Sequence, residues 1–169
     1  LLVGANAQAT TSGLELDVTA LLSENWIVSA SYGYLDAEYD EFVDAATGDD
    51  LFSGNTLPRS AENSYTINSN YTFDLSGGST IDFGLNYAYK GDYFLEVSNV
   101  PESIEGGYGL LDANLSWTSA DGSWEAIAWG KNITDEEFRT HTIVSNVSGT
   151  VDLWNMPATY GLTVTRNFD

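Results

Sequence analysis

The stretch "STIDFGLNYAYKG", residues 79–91, alternates without a break. Ile81, Phe83, Leu85, Tyr87 and Tyr89 fall on one side of an extended chain, and Asp82, Gly84, Asn86, Ala88 and Lys90 on the other. A period of two is the signature of a strand with one apolar and one polar face. Eight residue steps from Ile81 to Tyr89, at ~3.3 Å each, give roughly 27 Å of uninterrupted apolar face. That length is close to the ~25 Å outward band of a membrane-crossing β-barrel, and well beyond the ~5–6 residues of an ordinary strand.

The same pattern recurs on both sides of this segment. Tyr65, Ile67, Tyr71 and Phe73 oppose Thr66, Asn68, Asn70, Thr72 and Asp74, while Leu111, Ala113, Leu115 and Trp117 oppose Asp112, Asn114 and Ser116. Leu14, Leu16, Val18 and Ala20 conform, as do Tyr160, Leu162 and Val164. Residues 123–138 are ambiguous, because Trp124, Ala126 and Ala128 compete with Ile127, Trp129 and Ile133 for the apolar face. Seven strands are predicted, at 10–22, 25–38, 60–75, 79–94, 107–119, 123–138 and 151–168. Short turns rich in Gly, Asp, Asn and Ser join three pairs, at 23–25, 76–79 and 120–123. Long polar connections at 39–59, 95–106 and 140–150 join the rest. Successive antiparallel strands place alternate connections at opposite ends, so one end carries only short turns and the other only long loops.

Alternation by itself favours a soluble β-sandwich, which also has one buried and one wet face. The aromatic residues decide for a membrane. Trp26, Phe73, Trp117, Trp124 and Phe168 lie near the short-turn end, and Tyr32, Tyr34, Tyr87, Tyr89, Tyr93, Tyr108 and Tyr160 near the long-loop end. Two aromatic belts around an aliphatic band are how Trp and Tyr settle at the two bilayer interfaces. The predicted fold is therefore all-β, an antiparallel up-and-down transmembrane β-barrel with short periplasmic turns and long extracellular loops. Bacterial single-chain barrels have even strand counts. These seven are expected to be part of a longer barrel, or of an assembly whose other chains supply the remainder.

Composition excludes several classes of function. Five basic residues against 25 acidic ones give a formal charge of −20, which repels phosphate backbones, so no nucleic-acid partner is expected. A hydrophobic fraction of 43% with ten Tyr and five Trp is too apolar for acidic disorder. Cys is absent and His141 is the single histidine, which leaves thiolate chemistry, nucleophilic triads and the usual zinc sites without their parts. No enzymatic activity is expected.

Several segments together resemble the C-terminal barrel region of TonB-dependent outer-membrane receptors. They are "NAQATTSGLELDVTALLSENWIVSASYGYLDAEYDEF" (6–42), "GNTLPRSAENSYTINSNYTF" (54–73), "GGYGLLDANLSWTSADGSWEAIAWGKNITDEEFR" (106–139) and "PATYGLTVTRNF" (157–168). The resemblance implies a bacterial outer-membrane location and a barrel of ~22 strands with a plugged lumen. It implies energy-dependent import of a scarce nutrient such as a siderophore, corrinoid or glycan. Residues 1–169 then form the C-terminal portion. The earlier strands, the plug domain and the contact with an energy-transducing periplasmic protein are expected outside them. The alternative is a secreted or surface β-sheet protein serving adhesion or assembly, without transport.

Ligand contacts in such a receptor are expected from the long loops and the lumen wall. Arg59, Tyr93, Arg139, His141 and Trp154 are the candidates: Arg and His to attract an anionic chelate, Tyr and Trp to stack on a ring. No resident cofactor is expected. The acidic run 36–50 offers Asp36, Glu38, Asp40, Asp44, Asp49 and Asp50 as hard oxygen ligands for Ca²⁺, although its spacing matches no EF-hand. Within "WGKNITDEEFR" (129–139) the burst of charge is expected where the sixth strand leaves the membrane, because charge there no longer carries a desolvation cost.

Overall fold

The structure is a computed structural model that describes residues 5–145 and 149–168. The elements in chain order are β1 (Ala5–Ser23), β2 (Trp26–Asp44), β3 (Asn63–Asp74), β4 (Thr80–Lys90), β5 (Tyr93–Phe94), a 3₁₀ turn at Pro101–Ser103, β6 (Ile104–Glu105), β7 (Tyr108–Thr118), β8 (Trp124–Lys131), β9 (Arg139–Ser145), β10 (Gly149–Trp154) and β11 (Thr159–Arg166). Seven of them form one antiparallel sheet in the order β1-β2-β3-β4-β7-β8-β11. The remaining four pair off as two small ribbons, β5 with β6 and β9 with β10. Both ribbons sit in the long connections, so they belong to the outer end. Among the described residues β1 and β11 are the edges of the sheet, and the barrel is not closed by these strands.

Register fixes which side chains share a face. Trp26, Tyr71, Phe83, Leu115, Ala128 and Leu162 stand side by side across six strands. The adjacent row, on the opposite face, is Ile27, Asn70, Gly84, Asn114, Trp129 and Gly161. The first face is apolar yet uncovered: Leu16 is 54% exposed, Val18 63% and Leu162 72%. Among the described residues no second sheet packs on it, so these strands do not pack face to face as a sandwich of their own. The second face carries amides, hydroxyls and carboxylates, as a water-filled lumen wall requires.

The ambiguous strand is resolved by its neighbours. Trp124, Ala126 and Ala128 align with Arg166, Val164 and Leu162 on β11, so Ala126 and Ala128 face the lipid and Ile127 and Trp129 face the lumen. Gly161 makes this possible, since a Cβ there would occupy the space of the Trp129 ring.

Four predicted boundaries are corrected. The first two strands continue outward to Ala5 and Asp44, about ten residues past the point where β3 stops pairing at Tyr34↔Asn63. Residues 39–44 are therefore strand rather than loop. The sixth strand ends at Lys131 instead of 138, because Asn132 and Asp135 adopt positive φ values of 48° and 54°, which no strand contains. The last strand starts at Thr159. Residues 151–154 belong to the outer ribbon, and Pro157 between them has no N–H for a ladder. Tyr93 and Tyr108 also leave the predicted outer belt: Tyr108 lies on the lumen side, paired with Lys90, and Tyr93 is buried.

Buried apolar residues are Ala37, Ala61, Tyr93 and Leu95, with Tyr108 packed against the last three. All lie at the outer end. The sheet positions the strand ends, and the loops above them build the enclosed part of the molecule.

Candidate functional site

Three connections meet above the sheet. The first, 45–62, runs back along the free edge of the outer half of β2, where Leu51 N–H donates to Phe42 O (2.8 Å), Tyr39 N–H to Asn55 O (2.9 Å), Leu57 N–H to Ala37 O (3.0 Å) and Leu35 N–H to Glu62 O (2.9 Å). An edge that would otherwise expose its amides is thus covered by its own chain. A bulge at Asp40 skips one register position between Gln8 and Ala9. It brings Tyr39 and Phe42 to the same side, where their rings meet edge-on at 4.9 Å and Phe52 continues the cluster at 5.2 Å. The bulged Asp40 accepts from Thr10 Oγ1 at 2.7 Å.

The second connection, 91–107, is tied to the first through amides. Asn99, in the left-handed region at φ 50°, donates from Nδ2 to Thr56 O (3.0 Å), and Thr56 N–H donates back to Asn99 Oδ1 (2.7 Å). Asn55 Nδ2 donates to Val97 O at 2.8 Å. Asn tolerates positive φ and supplies both a donor and an acceptor, so one residue type serves turn and tether.

The third connection, 132–158, carries the β9–β10 ribbon on a two-asparagine base. Asn132, only 7% exposed, receives Glu136 N–H on Oδ1 (2.9 Å) and donates from Nδ2 to Glu136 O (2.9 Å) and Met156 O (3.4 Å). Asn155 donates to the same two carbonyls (2.9 and 3.0 Å) and accepts from Phe138 N–H (3.0 Å). The base is anchored to the sheet, since Asn132 N–H donates to Asp112 Oδ1 at 2.8 Å and Ile133 N–H to Leu111 O at 2.8 Å.

The candidate ligand residues divide by what they touch. Arg139 donates from Nε to Glu105 Oε2 (2.7 Å), from Nη1 to Glu102 O (3.0 Å) and from Nη2 to Ile104 O, with Asp152 at 3.7 Å. Its fork is filled by this protein's own acceptors, and it clamps the ribbon to the second connection. Arg59, at φ 66°, reaches Thr140 O (3.0 Å) and His141 Nδ1 (3.2 Å). Arg59 and His141 are thus brought together. Tyr93 is 7% exposed, with the Lys90 ammonium 4.1 Å from its ring centroid and Tyr108 at 6.5 Å. Tyr108 stacks in turn on Phe138 at 3.9 Å. Trp154 is 58% exposed and stands opposite Arg139 in the ribbon.

The acidic run 36–50 is divided among local turns. Asp44 accepts from the backbone N–H groups of Ala46 (2.7 Å) and Thr47 (3.0 Å), and these hold its carboxyl below the usual range. Asp50 is lowered by the Ser53 hydroxyl and backbone N–H. Asp36, Glu38, Asp40, Asp44, Asp49 and Asp50 do not converge: among the described residues no three His, Asp or Glu stand close enough to hold a metal ion.

Residues missed from the sequence are the polar ones that join the loops: Asn99, Glu105, Asn132, Asp152 and Asn155. A loop Asn gives a weak signal, because its left-handed conformation is invisible until a turn is placed. Below the loops the lumen wall holds a concavity of about 360 Å³ lined by Asn68, Asn70, Asn86, Asn114 and Trp129.

The fold has solved counterparts. The ferric yersiniabactin uptake receptor FyuA from Yersinia pestis superposes with a TM-score of 0.83 at 20% identity, covering 96% of this chain and 24% of that one. BauA, the ferric preacinetobactin receptor from Acinetobacter baumannii, gives 0.75 at 16% identity with 96% and 23% covered. The siderophore receptor PiuA, also from Acinetobacter baumannii, gives 0.71 at 17% with 95% and 22% covered. The chain spans about a quarter of the length of these structures. Residues 2–133 match the family described as TonB dependent receptor-like, beta-barrel. That match covers most of the chain and agrees with the long antiparallel strands, the lipid-facing aromatic belts and the elaborated outer loops, and the chain belongs to this family of outer-membrane receptor barrels.

Proposed function

We propose that residues 1–169 form the C-terminal part of the barrel of a receptor that takes up a scarce nutrient across the bacterial outer membrane, and that a siderophore-type metal chelate is the nutrient. The observation that carries this reading is the single-layer sheet, apolar and uncovered on one face and polar on the other, capped only at its outer end. Its likeness to three siderophore receptors supports the chelate over a corrinoid or a glycan. The family is one of receptors and transporters, not of enzymes.

Two unpaired edges cannot face hydrocarbon, because each open N–H and C=O there costs several kcal/mol. Further strands must pair with β1 and β11. In this reading they come from the rest of the barrel, a plug domain fills the lumen against the polar wall, and an energy-transducing periplasmic protein acts through that plug. The test is growth of the host, with the full receptor deleted, on a panel of ferric chelates as sole iron source. Loss of growth on one chelate, restored by the intact receptor, is expected. Normal growth on every chelate together with a new requirement for a corrinoid or a glycan would overturn the choice of nutrient.

A further inference from the structure

The three outer connections border an open, mostly apolar cleft of about 590 Å³. Phe52 and Pro58 line it from the first connection, Leu95, Val97 and Val100 from the second, and Val144 from β9. A volume of this size falls within the ~300–1,000 Å³ range of small-molecule sites. The cleft also has fixed walls. Glu96, on its lining, accepts Val144 N–H through Oε1 at 3.0 Å, and Asn99 and Asn55 lock Val97 and Thr56 in place. The Glu96 carboxylate and Ser98 are the polar groups on this mostly apolar lining.

The charge around the cleft selects its occupant. The outer end of β2 and the three connections, residues 35–62, 91–107 and 132–158, together hold sixteen Asp and Glu against two basic residues, Arg59 and Arg139, with Lys90 beside them on the Tyr93 ring. Arg139 is spent on Glu105 and Asp152, and Arg59 is turned toward Thr140 O and His141. An anion approaching the cap therefore meets uncompensated carboxylates within a Debye length of ~8–10 Å. A cation is drawn in.

We infer that this cleft is the outer binding site for a small cationic ligand with an aromatic or aliphatic body. The apolar walls take the body, and Glu96 faces the positive charge. The inference rests on the receptor reading above and reverses the charge of ligand that Arg59, Arg139 and His141 suggest in the sequence.

The experiment uses the full-length receptor in detergent and two probes of nearly equal size and opposite charge, 1-naphthylmethylammonium and 1-naphthalenesulfonate, followed by saturation-transfer NMR. The cation is expected to bind roughly tenfold more tightly at low salt, with the ratio shrinking as salt rises. Val97→Lys should abolish cation binding, and Glu96→Gln, which keeps an acceptor for Val144, should weaken it by roughly five- to tenfold. Heat-modified gel mobility verifies that each variant is a folded barrel. Equal or tighter binding of the sulfonate, or cation binding unchanged by Val97→Lys, overturns the inference. If the cation does not bind while cells still depend on the receptor for a ferric chelate, the cleft assignment falls and the uptake reading stands. Cleft binding in a receptor that supports no chelate uptake would do the reverse.

Discussion

The sheet and the loop cap of this protein are stabilised in opposite ways. The sheet holds its large apolar side chains on the outside: Leu14, Ile67, Leu115 and Val164 are all well exposed, and not one is buried. The cap holds the buried apolar residues Ala61, Tyr93 and Leu95, and beside them the buried polar residues Ser103, Glu105, Asn132 and Thr142. A bilayer supplies the hydrophobic surroundings of the first region, so its strands need only be the right length and face. The cap stands in water and must make its own interior. It does so with a few apolar side chains and a set of amide, carboxylate and guanidinium links between connections far apart in sequence. The lesson is that one chain can satisfy two solvents, with the change-over marked by the last apolar pair, Leu14↔Tyr34, and the first polar pair, Ser12↔Asp36.

A charge placed on the lipid face breaks this division most severely. Leu85 sits midway along β4 on the apolar face, opposite Ser69 and Ala113. Leu85→Arg should cost about 2–4 kcal/mol, the penalty for Arg at the bilayer midplane of a barrel. Asn86→Arg, one residue along and facing the lumen, should cost less than ~1 kcal/mol. Denaturant titration of the full receptor in lipid vesicles measures both. Equal costs for the two would mean that the faces have been assigned wrongly.

In the cap the severe changes are to polar residues. Asn132→Ala removes three side-chain hydrogen bonds and leaves the half-buried Glu136 N–H without its partner, a loss of about 2–3 kcal/mol. Asn132→Gly retains the positive φ at no steric cost and isolates the hydrogen-bond contribution. The readout is hydrogen exchange at the Glu136 and Phe138 amides, which should accelerate while exchange in β3 and β4 stays unchanged. Arg139→Lys is milder. Lysine can pair with Glu105 but cannot span the Glu102 and Ile104 carbonyls at the same time, so a loss of about 1–2 kcal/mol is expected. Faster protease cleavage within β9–β10, with unchanged barrel melting, would confirm that the clamp belongs to the cap alone.

The sheet was legible in the sequence because it obeys a short-range rule. Period-two alternation, turn residues and two aromatic belts located all seven strands but not all of their ends, and cross-strand register decided the faces of residues 123–138, where Trp129 and Gly161 fit each other. The cap was not legible, because its rules are long-range. Arg139 looked like a free cation in "EEFR" and is consumed by Glu105, 34 positions away. Tyr93 looked like a belt residue and is core, because β5 turns inward beside Lys90 and Tyr108. In "WGKNITDEEFR" the strand does stop near the membrane boundary, but it stops at Lys131, where Asn132 begins the base of the ribbon; charge density gave the depth and missed the turn. Sequence could place these residues at the outer end, and only the fold could pair them.

The smallest effect lies at the opposite end of the sheet, in the turn between β7 and β8. Asp121 Oδ1 accepts the Ser119 hydroxyl at 2.7 Å, the Ser123 N–H at 3.1 Å and the Ser123 hydroxyl at 2.9 Å. Ser119 Oγ in turn accepts the Trp124 N–H at 2.9 Å, which starts β8. These donors, the Ser119 hydroxyl foremost, lower the Asp121 carboxyl to about 2. A carboxylate whose folded value lies below its unfolded value of ~3.9 adds stability above that value, and the contribution is lost as pH falls through the folded value. The turn should therefore loosen as pH drops from ~4 toward 2, and not between neutrality and 5. Asp121→Asn should remove this dependence, since an amide oxygen accepts the same donors without titrating. Hydrogen exchange at the Ser123 and Trp124 amides across that window measures it, with wild type and variant differing most above pH ~4 and converging near 2. Because the carboxylate is fully exposed, solvent screens it and the change should stay confined to the turn. A pH-dependent loss that spread into β7 and β8 would mean that this end of the sheet, like the cap, depends on polar links for its hold.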